Sequence, residues 1–181
     1  MNSTTSTPNP IIFDLIALTK PRVNFLIIFT AIVGMLLAQD FNLNYSLMIY
    51  ASIGIYLAAS AAAVINQIVD QKIDAIMDRT KSRPLIKGNV TSTHAIYFSL
   101  VISLISTYIL YEYVNTITTV LTLFSIIVYS IIYSVYLKNL TSQNIVIGGI
   151  AGAMPPLLGW TAITNGVSEL PLLLFLSLIH I

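Results

Sequence analysis

The sequence predicts an all-α fold, a polytopic bundle of transmembrane helices. Three observations carry that reading. Of 181 residues 56% are hydrophobic and only 8% are charged, against roughly 25% charged in a soluble domain. Apolar runs recur at about the 20 residues needed to cross a hydrocarbon core. All eight Lys and Arg residues fall in segments that one membrane face would receive. A mean hydropathy of +0.87 agrees, and a soluble core is excluded.

The runs are Val23 to Ala38, Tyr45 to Val69, Ala95 to Tyr111, Val114 to Leu137 and Ile145 to Ile163. These read as five complete spans. A sixth, Leu170 to Ile181, is too short to cross and reads as a partial span, so the chain is expected to be incomplete at its C-terminus. Residues 1–22 form an N-terminal segment and residues 23–181 a single transmembrane domain. Successive crossings place the amino terminus, Asp70 to Asn89 and Lys138 to Gln143 on one side. Gln39 to Asn44, Glu112-Tyr113 and Thr164 to Glu169 fall on the other. Lys20, Arg22, Lys72, Arg79, Lys81, Arg83, Lys87 and Lys138 all lie on the first side, which the positive-inside rule makes cytoplasmic.

Cysteine is absent, which removes disulfides, thiolate catalysis, zinc clusters and covalent haem attachment through Cys-x-x-Cys-His. The first 22 residues carry no basic residue before Lys20, unlike a secretory signal or an Arg-rich transit peptide. The expected location is therefore a bacterial cell (inner) membrane. Nothing points to nucleic acid.

At the cytoplasmic end of the second span stand Asn66, Asp70, Asp74 and Asp78, each four residues from the next. Continued as a helix, that spacing puts all four on one stripe. Pro84 would end the helix, Gly88-Asn89 would turn the chain, and Thr91 or Ser92 would cap the third span. Like charges at this spacing repel by a few tenths of a kcal/mol and call for a compensating positive charge. Lys72, Arg79, Lys81 and Arg83 could supply it on an ordinary solvated helix end, with Lys81 pairing to Asp78. A divalent cation is the other candidate. Magnesium takes hard oxygen ligands, commonly one or two carboxylates plus substrate phosphates. Because the ladder begins inside a membrane helix, where ionisable groups default to function, the cation reading is preferred, with Asn66, Asp70 and Asp74 as its ligands. Arg79 and Arg83, also four apart, suggest a fork for phosphate oxygens.

Several features carry structural readings. Gly148, Gly149 and Gly152 suit close helix packing. Pro155-Pro156 suggests a helix break lining a cavity. Trp160 and the tyrosines read as interfacial or packing residues, with a ring near the cavity able to face a cation. His94 reads as a wetted interfacial residue, and neither it nor His180 as a haem ligand. Lys20 and Arg22 read first as topology anchors and second as substrate contacts.

The Asn66-x-x-x-Asp70-x-x-x-Asp74 pattern resembles the first aspartate motif of the UbiA superfamily of aromatic and polyprenyl transferases. Three blocks resemble its protohaem IX farnesyltransferase (haem O synthase) branch: Leu18 to Val23, Asp70 to Gly88, and Gln143 to Trp160 with the following Thr-Ala. The resemblance covers Leu18 to about Thr164. It implies a nine-helix intramembrane bundle with two aspartate motifs around Mg2+ and a prenyl diphosphate, and transfer of farnesyl from farnesyl diphosphate to a protohaem vinyl group. Asp70 and Asp74 would be catalytic. Asn66, Arg79 and Arg83 would bind diphosphate, joined by Lys138 and Tyr133, which sit where relatives place a lysine and a tyrosine facing it. Haem A synthase or terminal-oxidase assembly would be partners beside the lipid bilayer. The second aspartate motif is missing from this sequence, so the chain alone is expected to be inactive. Another intramembrane polyprenyl transferase with an aromatic acceptor and a cation-coupled transporter are the rival readings.

Overall fold

The structure, a computed structural model, describes residues 11–38, 44–136 and 144–180, with side chains from residue 148 onward in the last stretch. Every regular element among them is helical. In order they are α1 (Ile11–Leu18), α2 (Pro21–Leu37), α3 (Tyr45–Val69), α4 (Gln71–Asp74), α5 (Pro84–Lys87), α6 (Ser92–Tyr113), α7 (Thr116–Ile127) continuing as a π-helical segment (Val128–Tyr136), α8 (Asn144–Thr164) and α9 (Glu169–His180). Among the described residues, Tyr45–Val69, Ser92–Tyr113 and Thr116–Tyr136 are long and apolar enough to cross a membrane. The pair α1 and α2, bent by 47° at its junction, makes a fourth if taken as one span.

Side-chain caps set the helix starts. Asn44 accepts from the Leu47 amide, Thr91 from His94 and Asn115 from Thr118, each interaction stabilising its helix by about 1 kcal/mol. Asn115 also donates to the Thr161 and Ala162 carbonyls at 2.9 and 3.2 Å, which fixes the α6–α7 turn against α8.

The bundle is built inside-out relative to a soluble protein. Phe25, Leu26, Phe29, Leu104 and Tyr108 face outward, while Asn24, Ser60, Ser106, Thr118 and Thr161 are buried. Hydrocarbon gives apolar side chains no reason to hide, so helices associate through small residues and interhelical hydrogen bonds. Ser106 donates to the Gly54 carbonyl at 2.7 Å to join α6 to α3. Thr118 and Thr161 hydroxyls meet at 3.0 Å between α7 and α8. The core that results holds Ala31, Met35, Ala51, Ile55, Leu110, Met154 and Leu158.

The closest backbone approach joins α2 to α8. A Cβ on Gly34 would run into the Pro156 carbonyl, and one on Gly159 into the Ala31 carbonyl. Close packing was expected at Gly148, Gly149 and Gly152. Of these, only Gly148 meets a neighbour, the Tyr133 ring, while Gly149 and Gly152 face open space. The expected break at Pro155-Pro156 is also corrected, since both prolines lie inside a continuous α8. A proline nitrogen cannot donate to the carbonyl four residues back, so Ala151 and Gly152 lose their intrahelical partners, which membrane helices tolerate where protein or a cavity adjoins.

The carboxylate segment departs from a single long helix. α3 ends at Val69, α4 ends at Asp74, and turns carry the chain from Ala75 to Arg83. Thr80 explains the exit, because its hydroxyl donates to the Asp74 carbonyl at 2.8 Å and competes with helical pairing. Pro84 starts α5 rather than stopping a helix, occupying the first-turn position where its missing N–H costs nothing. Gly88, at φ 77°, ends that short helix. Leu85 and Val90 are thereby driven into a second apolar cluster with Leu18, Val64 and Ala95, and Asn89 bonds Asp14 of α1 at 3.1 Å.

Gly159→Ala is expected to destabilise the bundle by about 1–3 kcal/mol, because the colliding atom is backbone and cannot rotate away. Gly149→Ala should leave stability unchanged. Denaturant titration of the two variants in mixed micelles checks this, and equal effects would contradict the α2–α8 contact.

Candidate active site

Three rungs of the ladder survive as a buried group. Asn66, Asp70 and Asp74 are 7%, 7% and 4% exposed. The Asp70 amide bonds the Asn66 carbonyl at 3.0 Å and the Asp74 amide the Asp70 carbonyl at 2.8 Å, so helical winding continues across the α3–α4 junction and keeps them on one stripe. Asp78 leaves that stripe. It lies in the turn, its side chain 96% exposed, and pairs with Lys81 at 2.7 Å.

The arginine fork does not form in a helical register. Arg83 reaches back to an ion pair with Asp74, while Arg79 is exposed on the turn. Both residues sit outside any helix, so a four-residue spacing no longer implies a shared face. Lys138 lies outside the described residues. His94 and His180 are exposed.

Asn66 is held from two sides by the π-helical segment. Its Nδ2 donates to the Tyr129 hydroxyl at 3.4 Å, and its Oδ1 accepts from the Ser134 hydroxyl at 3.0 Å. The same Ser134 hydroxyl lies 2.8 Å from the Tyr129 carbonyl five residues earlier, so its one proton is shared between the two acceptors. In an α-helix residues five apart diverge around the axis. The wider π turn brings both toward α3, in keeping with the frequent placement of such segments at functional sites. Tyr133 stacks on Tyr129, centroids 5.7 Å apart and planes 16° apart.

Beside the ladder lies a cavity of about 340 Å³, bounded by α2, α3, α7 and α8. Its wall is mostly Ala, Ile, Leu and Gly, with Tyr129 at the ladder side and Lys20 as the one charged residue among those lining it. Ala151 and Gly152, whose carbonyls lost their helical donors to the prolines, also line it, as does Pro155. Thr122 on the same wall has a buried hydroxyl with no partner among the described atoms. The combination of an apolar body and a few directed polar groups is that of a small-molecule pocket.

Lys20 sits in the elbow between α1 and α2 with left-handed backbone angles, φ 52° and ψ 60°, a conformation that costs a non-glycine residue about 1–3 kcal/mol. The elbow is fixed from all sides. Gln67 donates to the Leu18 carbonyl at 2.5 Å, Asn24 to the Thr19 carbonyl and to Ser60 at 2.8 Å each, and the Thr19 hydroxyl to Ile16 at 2.8 Å.

The residues of the ladder fit a magnesium-type ion. Two buried carboxylates and an amide oxygen form a hard-oxygen donor set, and Asn66 Oδ1 keeps a second lone pair beyond the one Ser134 uses. Among the described residues no cluster offers three or more His, Cys, Asp or Glu. An ion here would therefore need oxygens from water or a bound phosphate, as magnesium commonly does.

Sequence reasoning missed Tyr129, Ser134, Gln67 and Asn24. A usable signal existed in the repeated Tyr-Ser pair, Tyr129-Ser130 and Tyr133-Ser134, because polar groups within a span need a reason to be there.

Removing Arg83 leaves the Asp74 carboxylate buried without its partner. Arg83→Gln is expected to destabilise the segment between Asp74 and Val90 by about 3 kcal/mol. Hydrogen exchange of that segment, compared with Lys81→Gln as a control, measures this, and equal protection in the two variants would contradict the ion pair's role.

Comparison with known proteins fits this architecture. The UbiA prenyltransferase family matches residues 27–181. A protoheme IX farnesyltransferase from Hahella chejuensis is 50% identical over 163 residues, 90% of this chain and 54% of the relative. One from Colwellia psychrerythraea is 52% identical over 159 residues, 88% of this chain and 52% of the relative. The chain thus spans about half the length of the curated relatives it matches. A solved structure described in terms of digeranylgeranylglyceryl phosphate synthase in membranes superposes with a TM-score of 0.82 at 19% identity, over 93% of this chain and 58% of that one, a likeness of fold. A helical bundle of apolar spans with a buried Asn-Asp-Asp ladder and a 50% identical relative has one family assignment: the chain belongs to the UbiA prenyltransferase family.

Proposed function

We propose that the protein this chain belongs to transfers a farnesyl group from farnesyl diphosphate to a vinyl group of protohaem IX, giving haem O. The observation that carries the reading is the junction of two unlike environments at Tyr129, with the buried Asn66/Asp70/Asp74 ladder on one side and the apolar cavity on the other. Prenyl transfer needs this pairing of an anionic, metal-compatible end with an oily pocket. The identity to protoheme IX farnesyltransferases supports the specific donor and acceptor.

In this reading Asp70, Asp74 and Asn66 would hold Mg2+ together with the diphosphate. The ion's contribution is to neutralise the departing diphosphate. Arg83 adds a positive charge beside Asp74, and Arg79, Lys138 and Tyr133 are assigned to the diphosphate as well. As the allylic C–O bond breaks, the vinyl carbon bonds to the farnesyl carbon. Water then adds at the adjacent carbon and releases a proton, leaving a hydroxyalkyl group. The apolar walls keep water from the allylic cation before the vinyl group reacts, and the Tyr129 ring, which lines the cavity, would steady its charge. The charge distribution supports a location in the bacterial inner membrane with the basic end cytoplasmic, and residues 23–181 act as part of one prenyltransferase domain. A transporter would carry ionisable groups deep in several spans. Here Arg22 and Glu112 stand at helix ends.

Residues 1–181 joined to the remaining length of the Hahella relative should restore haem O in cells that cannot make it, read by pigment extraction. No haem O with the protein present in the membrane would sink the reading. In the same chimera Asp70→Asn or Asp74→Asn should cut turnover by roughly a hundredfold or more without blocking membrane insertion. Near-normal turnover in either variant would remove that residue from the metal site.

A further inference from the structure

We infer that Lys20 is a substrate-binding cation, holding the anionic head of the amphiphile whose apolar body occupies the cavity. Basic residues at the start of a span are ordinarily topology anchors, free to follow the water interface. Lys20 differs from its neighbour Arg22 in two respects. It lines the cavity wall, the one charged side chain among the residues that do. It also holds left-handed backbone angles that its residue type disfavours. Such conformations persist where surroundings over-determine them, and they concentrate at sites where position matters.

The surroundings here are built for that purpose. The Leu18 and Thr19 carbonyls are both held by side chains from the bundle, Gln67 and Asn24. The Lys20 carbonyl takes the Val23 and Asn24 amides at 3.0 and 3.2 Å to begin α2. An elbow needed only for a bend would be met more cheaply by glycine or asparagine. Gln67 adjoins Asn66 in the chain, so the residue that clamps the elbow is covalently tied to the first rung of the ladder. The elbow cation and the carboxylate ladder thus stand at the same end of the bundle, one at the cavity wall and the other beyond Tyr129.

The inference rests on the prenyl-transfer reading for the amphiphile's identity, which leaves two anions of suitable chemistry: a prenyl diphosphate and the carboxylates of a tetrapyrrole. The test uses residues 1–181 joined to the remaining length of the Hahella relative, in lipid nanodiscs, where both faces are accessible and insertion orientation is irrelevant. Probes are farnesyl thiodiphosphate with Mg2+, protohaem IX, and protohaem dimethyl ester, which lacks the carboxylate charge. Lys20→Gly and Lys20→Asn remove the charge while suiting the left-handed backbone. Both should keep or raise the unfolding midpoint yet weaken binding of one anionic probe by roughly tenfold or more. Lys20→Arg should retain binding. A loss confined to the thiodiphosphate assigns Lys20 to the donor. A loss for protohaem that vanishes with the dimethyl ester assigns it to the acceptor. Unchanged binding of both anionic probes by Lys20→Gly would overturn the inference and leave the prenyl-transfer reading standing. Failure of the unsubstituted chimera to bind either anionic probe would overturn both.

Discussion

The return of Arg83 onto Asp74 is the contact on which the basic end of the bundle depends. A carboxylate 4% exposed beside a second buried aspartate is costly unless a positive charge meets it. Meeting it requires the chain to double back between residues 75 and 83 rather than run on as a helix. That reversal delivers Pro84 to the start of α5, buries Leu85, and lets Asn89 reach α1. One ion pair thus organises both the ladder and the cover over it. The same pair gives the buried cluster of Asp70, Asp74 and Arg83 both signs of charge.

The architecture was largely legible from hydropathy. The second span was read at the boundaries the structure gives, Tyr45 to Val69, because a long apolar run between a polar capping residue and an aspartate leaves little choice. The third and fifth runs differ from α6 and α8 by one to three residues at each end, where caps rather than apolarity set the limit. Turn chemistry at Gly88 and Thr91 was equally readable. Charge spacing misled beyond Asp74, where periodicity was extended through Asp78 although the apolar residues there, Ile76 and Met77, are exposed and bury no helical face. The Thr80 side chain, bonding backward to Asp74, decides the path, and such a local competition is invisible to a four-residue count.

The candidate site was read in part. Asn66, Asp70 and Asp74 stood out because they are polar where the chain is not. Their supports did not, because Tyr129 and Ser134 belong to an interrupted helical register. Counting in α-helical turns assigns those two to different faces. The π-helical segment brings both to Asn66, and no hydropathy period announces it. The glycines illustrate the same limit. Small residues can mean close packing or empty space, and Gly159 and Gly152 show one of each.

The double clasp of Gly34 on Pro156 and Gly159 on Ala31 has a mechanical consequence. Where two backbones touch, neither helix can slide or rotate without forcing carbonyl into carbon, so α2 and α8 behave as one rigid stave. They form two of the four walls of the cavity. Any change in its width must then come from the walls of α3 and α7, the latter continuing into the π-helical segment that carries Tyr129. A turn of helix with looser hydrogen bonding faces a pair of welded ones, so the pocket has walls of unequal stiffness. Tyr129 on that side is also the residue that touches Asn66 of the carboxylate ladder.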